Sequence, residues 1–393
     1  MKKRGPARRA RFAEPERPAI GLEAEFATII DGEPADPKDA FGDPRAFLGN
    51  RAMHRTGSSY HLPNGGAVYF DTGVIEIVTP VIELERGSPS QAVRSLWEGT
   101  FTVRERLDDW SRRSGREARL VGFSAHYNLS LPELDDGARL ARVAFLLVHM
   151  LAFPVMLFAT NRRSTGVGVR PRPGRIEVTA DFTPDPALMI ATAAVIAGAV
   201  REVASWPDHD PAELERRGYP VIAGFEPVPH TSRRGWLARF SCFDPDPFQA
   251  RPDDRAWRTT RGDSVSVRSA TRRVVARLLP RIREVAAPET VLLIRRVLAR
   301  RHPSLLDMDD RPATYDDVGR DGPWHEPDPT SPLPRSLYEQ VMLDVMEGRP
   351  VRAGGRRWRP VATSGWTRVR YRSEDGRTRT FSVDELVRLR AQS

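Results

Sequence analysis

Cysteine is almost absent. Cys242 is the only one in the 393 residues, so no disulfide can form within the chain. That usage fits a reducing, cytoplasmic compartment. Lysine is scarce too: Lys2, Lys3 and Lys38 are the whole set, and every other basic residue of the 61 is arginine. Uninterrupted apolar runs are also missing. The longest, near Val143–Phe158 and Ala187–Val200, are broken by His149, Pro154 or small residues. They read as buried helices, so no membrane partner is expected. No Gly-x-x-x-x-Gly-Lys-Ser/Thr loop occurs, and no Gly-x-Gly-x-x-Gly follows a strand, which removes the common nucleotide motifs. No nucleophile elbow is present. Cys and His never stand at zinc spacing. There is no internal repeat.

What is present is charge. The formal net charge is +9. A basic surface can attract nucleic acid, anionic membrane or an acidic protein. No basic run is interleaved with stacking aromatics, so a nucleic-acid partner is not expected. Residues 1–18 are basic and lack a following apolar run, which reads as a flexible arm rather than an export signal.

Polar groups stand where a plain core strand would be apolar. Ala19 to Ile30 alternates, placing Glu23 and Glu25 on one face and Leu22, Ala24 and Phe26 on the other. Like charges two apart on a strand need exposure or a bridging cation, and the apolar flanks favour burial near a metal. Asn64 to Pro80 reads as a turn, a strand carrying Tyr69 and Asp71 on one face, a kink at Gly73, and a second strand carrying Glu76. His126 and Asn128 share a face of the Arg119–Leu131 stretch. Arg175, Glu177, Thr179 and Asp181 share a face of the next strand. The stretch from Asp31 to Pro63 reads as loop with a short helix. The order of strands and helices predicts an α+β fold, with a largely antiparallel sheet and helices on one side. Residues 19–321 form the expected main domain and 322–334 a Pro-rich link. Residues 335–393 form a small C-terminal domain with a β-hairpin turning at Asp375-Gly376.

Carboxylates, a phenol and amide oxygens are hard ligands that suit Mg²⁺. With arginines available for phosphates, they fit metal-organised phosphoryl transfer.

The Gly21-Leu22-Glu23-Ala24-Glu25-Phe26 strand resembles that of the glutamine-synthetase-like carboxylate–amine ligases. The Asn64-Gly65 turn, Tyr69-x-Asp71-x-Gly73 and Glu76-x-x-Thr79 resemble the proteasome accessory factor family of Pup–protein ligases and depupylases. His126-x-Asn128, Tyr315-Asp316-Asp317-Val318 and the stretch from Trp366 to Phe381 extend the likeness. The resemblance implies a glutamine-synthetase-like fold with ATP and Mg as cofactors. It implies Asp71 as proton acceptor, Glu23, Tyr69 and Glu76 on metal with Glu25 beside them, and Thr79 and Trp366 at ATP. Ala67 stands where the family has a nucleotide-binding Arg, and Arg233, Arg234 and Arg261 are candidates to replace it. The implied reaction joins a glutamate side chain of a small acidic Pup-like modifier to a protein lysine. The short connection between the first strand and the Asn64-Gly65 turn favours the ligase over the depupylase. The other readings are a glutamate–amine ligase acting on small molecules and a non-catalytic relative that binds an acidic peptide.

Overall fold

The protein is described by a computed structural model covering residues 15–49, 53–134, 136–230, 234–308, 310, 315–320, 322–324 and 331–392. Its centre is β1 (Ala19–Ile30), whose alternating residues are buried on one face and half-buried on the other. Around it lie β2 (Glu33–Ala35), β3 (Met53–Thr56), β4 (Ser59–His61), β5 (Ala67–Asp71), β6 (Val74–Val78), β7 (Ile82–Glu83), β8 (Ala118–Ser130), β9 (Val167–Arg172), β10 (Arg175–Asp181), β11 (Val228–Pro229) and β12 (Trp236–Ala238). The strands form one sheet in the order β11-β12-β9-β10-β8-β1-β6-β5-β4-β3, with β2 and β7 also paired to β1. Every pairing around β1 is antiparallel.

Three long helices pack on the apolar face: α3 (Ser88–Ser114), α4 (Gly137–Ala159) and α5 (Pro186–Ala204). The short α1 (Pro37–Phe41) and α2 (Pro44–Leu48) precede them. Asp185 caps α5 by accepting from the Ala187 amide at 2.8 Å, and Pro186 fills the first helical position, where no amide hydrogen is needed. By length and composition α4 and α5 could cross a membrane, but 78% of each apolar window is buried within the fold. Phe182 ties the layers together, meeting Phe26 of β1 and Trp97 of α3 edge-on at 5.3 and 5.4 Å. Beyond them, α6 (Ala212–Arg216), β13 (Trp257–Arg258), β14 (Ser264–Val265), α7 (Val267–Val285) and α8 (Pro288–Leu298) complete the main body.

The chain end builds a second cluster. Here α9 (Leu337–Met346) and α10 (Val383–Arg390) flank a four-stranded antiparallel sheet. Its strands are β15 (Val351–Ala353), β16 (Arg356–Ser364), β17 (Arg368–Ser373) and β18 (Thr378–Ser382). The expected hairpin is β17–β18, and β15 and β16 widen it. Tyr338, Trp358, Tyr371, Phe381 and Leu386 form its separate apolar core.

A buried ionic joint seats this cluster on α3. Arg94 reaches Glu339 at 2.6 Å, and Arg335 reaches Glu98 at 2.6 Å. The Asn64-Gly65-Gly66 turn lies against the same element. Gly65 has φ +84°, and a Cβ there would stand 2.8 Å from the Cβ of Met342 in α9.

One expectation is corrected. The Asp31–Pro63 stretch holds three short strands and two short helices rather than a loop with one helix. Strands of three or four polar residues carry no period-two apolar signal. Pairing and the C-terminal cluster hold them instead, as in the 2.9 Å contact between His61 Nε2 and Thr363 Oγ1.

Candidate active site

The sheet face opposite the helices carries the polar residues in register. Glu23 pairs with His126, which pairs with Thr179. One row along, Tyr69 pairs with Glu76, Glu76 with Glu25, and Glu25 with Ser124. A third row joins Asn128, Glu177 and Arg170. Because side chains alternate along each strand, these rows project to one side. They line a cleft of roughly 620 Å³, with Glu23, Glu25, Tyr69, Asp71 and Glu76 on one wall and Arg170, Arg172, Arg175 and His230 on the other.

Asp71 is placed by a turn. It pairs with Val74, leaving Thr72 and Gly73 as a two-residue hairpin loop. Both have positive φ, 45° and 84°, as a type I′ turn requires. Asp71 is exposed at the cleft rim and accepts a 3.0 Å hydrogen bond from the Thr72 hydroxyl.

Glu23 is the hub. Tyr69 Oη donates to it at 3.3 Å and Asn128 Nδ2 at 3.1 Å. His126 lies between two carboxylates, its Nδ1 3.9 Å from Glu23 and its Nε2 3.6 Å from Glu25. Arg175 Nε in turn donates to Asn128 Oδ1 at 2.9 Å. Burial opposes ionisation of Glu23, but the His126 hydrogen bond and charge, with Arg175 and Asn128, outweigh it and bring the pKa down to about 2. Glu76 goes the other way. Burial, then the charges of Glu23 and Glu25, push it up to about 7 against the Tyr69 hydrogen bond. Burial pushes the Tyr69 phenol up as well, and the neighbouring carboxylates add to it. Burial alone would lower His126, yet Glu23, Glu25 and Glu177 raise it. The wall therefore holds surplus negative charge with one histidine to offset it.

This donor set fits a hard divalent cation. Oxygens of Glu23 and Glu177 and a nitrogen of His126 lie within 4.8 Å of one another. Glu177 is already claimed by Arg170 and by Arg172, whose Nε is 3.0 Å away. Glu25 and Glu76 are the freer ligands, with Glu23 and the neutral oxygen of Tyr69 beside them.

The structure thus gathers Glu23, Glu25, Tyr69, Asp71, Glu76, His126, Arg175 and Glu177 in one cleft, with Asn128 bound to Glu23. Thr79 and Arg261 are not brought in. Thr79 is buried and its hydroxyl accepts from the Leu22 amide at 3.0 Å, which extends the pairing of β6 with β1. Arg261 bonds to the Glu215 carbonyl at a distant exposed site. Arg234 lines a neighbouring apolar groove that shares Arg172 and His230 with the cleft. Arg233 lies outside the described residues. Trp366 does not line the cleft; Arg55 covers its ring and His61 meets it edge-on. Sequence reasoning missed Arg55, Arg170, Arg172 and His230. Arg170 and Arg172 sit two apart, which signals a shared strand face, but Pro171 between them argues against a strand.

No protein-family profile and no curated protein matches the chain. Solved structures do. The chain is similar to the ligase PafA in its complex with the prokaryotic ubiquitin-like protein Pup. That alignment covers 95% of this chain and 92% of that one, at 13% identity and a TM-score of 0.41. It is also similar to the Pup ligase PafA of the prokaryotic ubiquitin-like modification pathway in complex with ADP. There the coverage is 85% and 90%, at 14% identity and a TM-score of 0.35.

Proposed function

We propose that the protein is a cytoplasmic, ATP- and Mg-dependent carboxylate–amine ligase. It joins the side-chain carboxylate of a C-terminal glutamate, on a small acidic Pup-like modifier, to a lysine of a second protein. The observation that carries this reading is the division of the cleft. Carboxylates and a phenol from β1, β5 and β6 face arginines from β9 and β10. A carboxylate is a poor electrophile until phosphorylated, and an ammonium cannot attack until it loses a proton. Such a reaction needs a cation site, an anion site and a base in one place.

In this reading Glu23, Glu25, Glu76 and Tyr69 hold Mg²⁺, which supplies charge neutralisation for the phosphates. Arg172 and Arg175 orient the modifier carboxylate. The carboxylate oxygen takes the terminal phosphoryl group of ATP and ADP departs. Asp71 takes a proton from the lysine ammonium, the neutral amine nitrogen attacks the acyl carbon, and phosphate leaves carrying the second N–H proton. The rim position of Asp71 suits a lysine presented by a folded protein, which cannot enter a deep pocket.

The test is incubation with ATP, Mg²⁺, a Pup-like modifier and a lysine-bearing protein, read by mass spectrometry of the isopeptide. Asp71→Asn is expected to slow adduct formation by about 10²–10⁴-fold, the range for a positioned general base. Full activity of that variant would remove Asp71 from its role.

A further inference from the structure

Buried arginines in this protein are matched by carboxylates. Arg94 pairs with Glu339, Arg104 with Asp108 and Asp317, and Arg268 with Asp253 and Asp307. Arg55 breaks the pattern. It is partly buried, yet among the described residues it makes no ion pair, and Ser59 is its one hydrogen-bond partner, Nε to Oγ at 2.8 Å. Its guanidinium carbon lies 4.0 Å from the centre of the Trp366 ring. Burial lowers its pKa, and the groups acting against that are Tyr69 and Glu23. In the β4–β5 register Tyr60 pairs with Val68, which carries Ser59, and Arg55 bonded to it, to the level of Tyr69 at the edge of the acidic wall.

The backbone explains the aim. In the β3–β4 pairing His54 meets Tyr60 and Thr56 meets Ser59, leaving Arg55 as the extra residue of a bulge. A bulge turns a side chain out of the normal alternation. Contact with the Trp366 ring then holds the guanidinium in place, and Ser59 takes up its Nε. The two terminal nitrogens remain as a preset fork. Such a fork matches two oxygens of a phosphate or carboxylate. A lone carboxylate would be repelled by Glu23. A polyphosphate carrying Mg²⁺ meets both walls, with the cation on the acids and the phosphate oxygens on the arginine.

We infer that Arg55 is a phosphate-binding residue of the cleft, gripping a Mg²⁺–polyphosphate between itself and the Glu23–Glu76 cluster, with Trp366 as its positioning residue. This rests on the ligase reading above and adds to it a residue that the sequence did not single out.

Calorimetric titration of the whole protein with Mg–ATP and with Mg–tripolyphosphate tests it. The variants are Arg55→Met, Arg55→Lys and, as a remote control, Arg261→Met. Arg55→Met is expected to weaken both probes by about 10–100-fold, the worth of a charge-assisted hydrogen bond. Arg55→Lys, which keeps the charge and loses the fork, should fall between, and it carries the test if the methionine variant fails to fold. Arg261→Met should bind as the native protein does. Equal binding by the native protein and both Arg55 variants would overturn the inference and leave the ligase reading standing. A loss confined to ATP would move Arg55 from the phosphates to the base or ribose and overturn the assignment. Failure of the native protein to bind either probe would overturn both readings.

Discussion

Two of the charge clusters in this molecule are built on opposite rules. The joint between α3 and α9 sets two arginines, Arg94 and Arg335, against two glutamates, Glu98 and Glu339, and closes over them. The cleft sets Glu23, Glu25 and Glu76 together with one histidine and stays open. Balanced charges under cover hold two parts of a chain in register. Surplus charge of one sign in an open cleft is a cost that packing does not explain, as expected of a functional site.

Substitutions separate the two clusters by the sign of their effect. The largest change is expected from Arg94→Met, which leaves Glu98 and Glu339 to share Arg335 alone in the joint. Removing one partner of a buried pair costs about 3–5 kcal/mol, measurable by denaturant unfolding. If the loss is negligible, the joint is not what seats the C-terminal cluster.

Glu76→Gln should do the reverse. Folding raises the Glu76 pKa from 4.5 to about 7, so the folded state binds its proton more tightly. Stability is then lost as pH rises through that window, and the glutamine variant escapes the loss. In chelator at pH 8 the variant should be more stable by about 3 kcal/mol, from 1.36 kcal/mol per pH unit. Below pH 4.5 the two should converge, and Mg²⁺ binding should be weaker at neutral pH. Destabilisation at pH 8 would mean that Glu76 is structural, like the joint.

A third group sharpens the contrast. Among the described residues neither ring nitrogen of His149 in α4 has a hydrogen-bond partner, and the ring sits between Phe145 and Phe225, with centroids at 4.8 and 4.9 Å. Burial pushes its pKa from 6.5 to about 4. The unfolded chain takes up the proton first, so stability falls as pH drops below 6.5. Between pH 6.5 and 5 that share should be about 2 kcal/mol, and His149→Phe should remove it. An unchanged pH slope in the variant would show that His149 is solvated in the folded state.

Much of this architecture was legible in residue order, and the reasons differ by element. The alternation of Glu23 and Glu25 in β1 survives because one face meets α3 and the other meets the cleft. Tyr69 and Glu76 come together because Thr72-Gly73 is a two-residue turn whose register pairs them directly. Asp185-Pro186 starts α5 by local chemistry alone. Arg55 was hidden by a bulge, since one extra residue turns a side chain without changing composition. A second bulge, between Glu25 and Phe26 in the β1–β8 pairing, leaves Phe123 exposed in the cleft wall, and nothing in local sequence announces it. Thr79 entered through the family resemblance alone, and the register puts its hydroxyl on the Leu22 amide of β1. Arg261 sits in the Pro-rich region, where no periodicity says which residues fold back over the sheet.

The turn at Asn64-Gly65-Gly66 has a mechanical consequence. Without a Cβ at Gly65, α9 rests directly on the backbone of the hairpin that carries Tyr69 and Asp71. No free travel remains in that direction. The Arg94–Glu339 and Arg335–Glu98 pairs hold the C-terminal cluster on that seat. Trp366, carried by that cluster, is thereby brought to the His61 and Arg55 side chains of the same hairpin region.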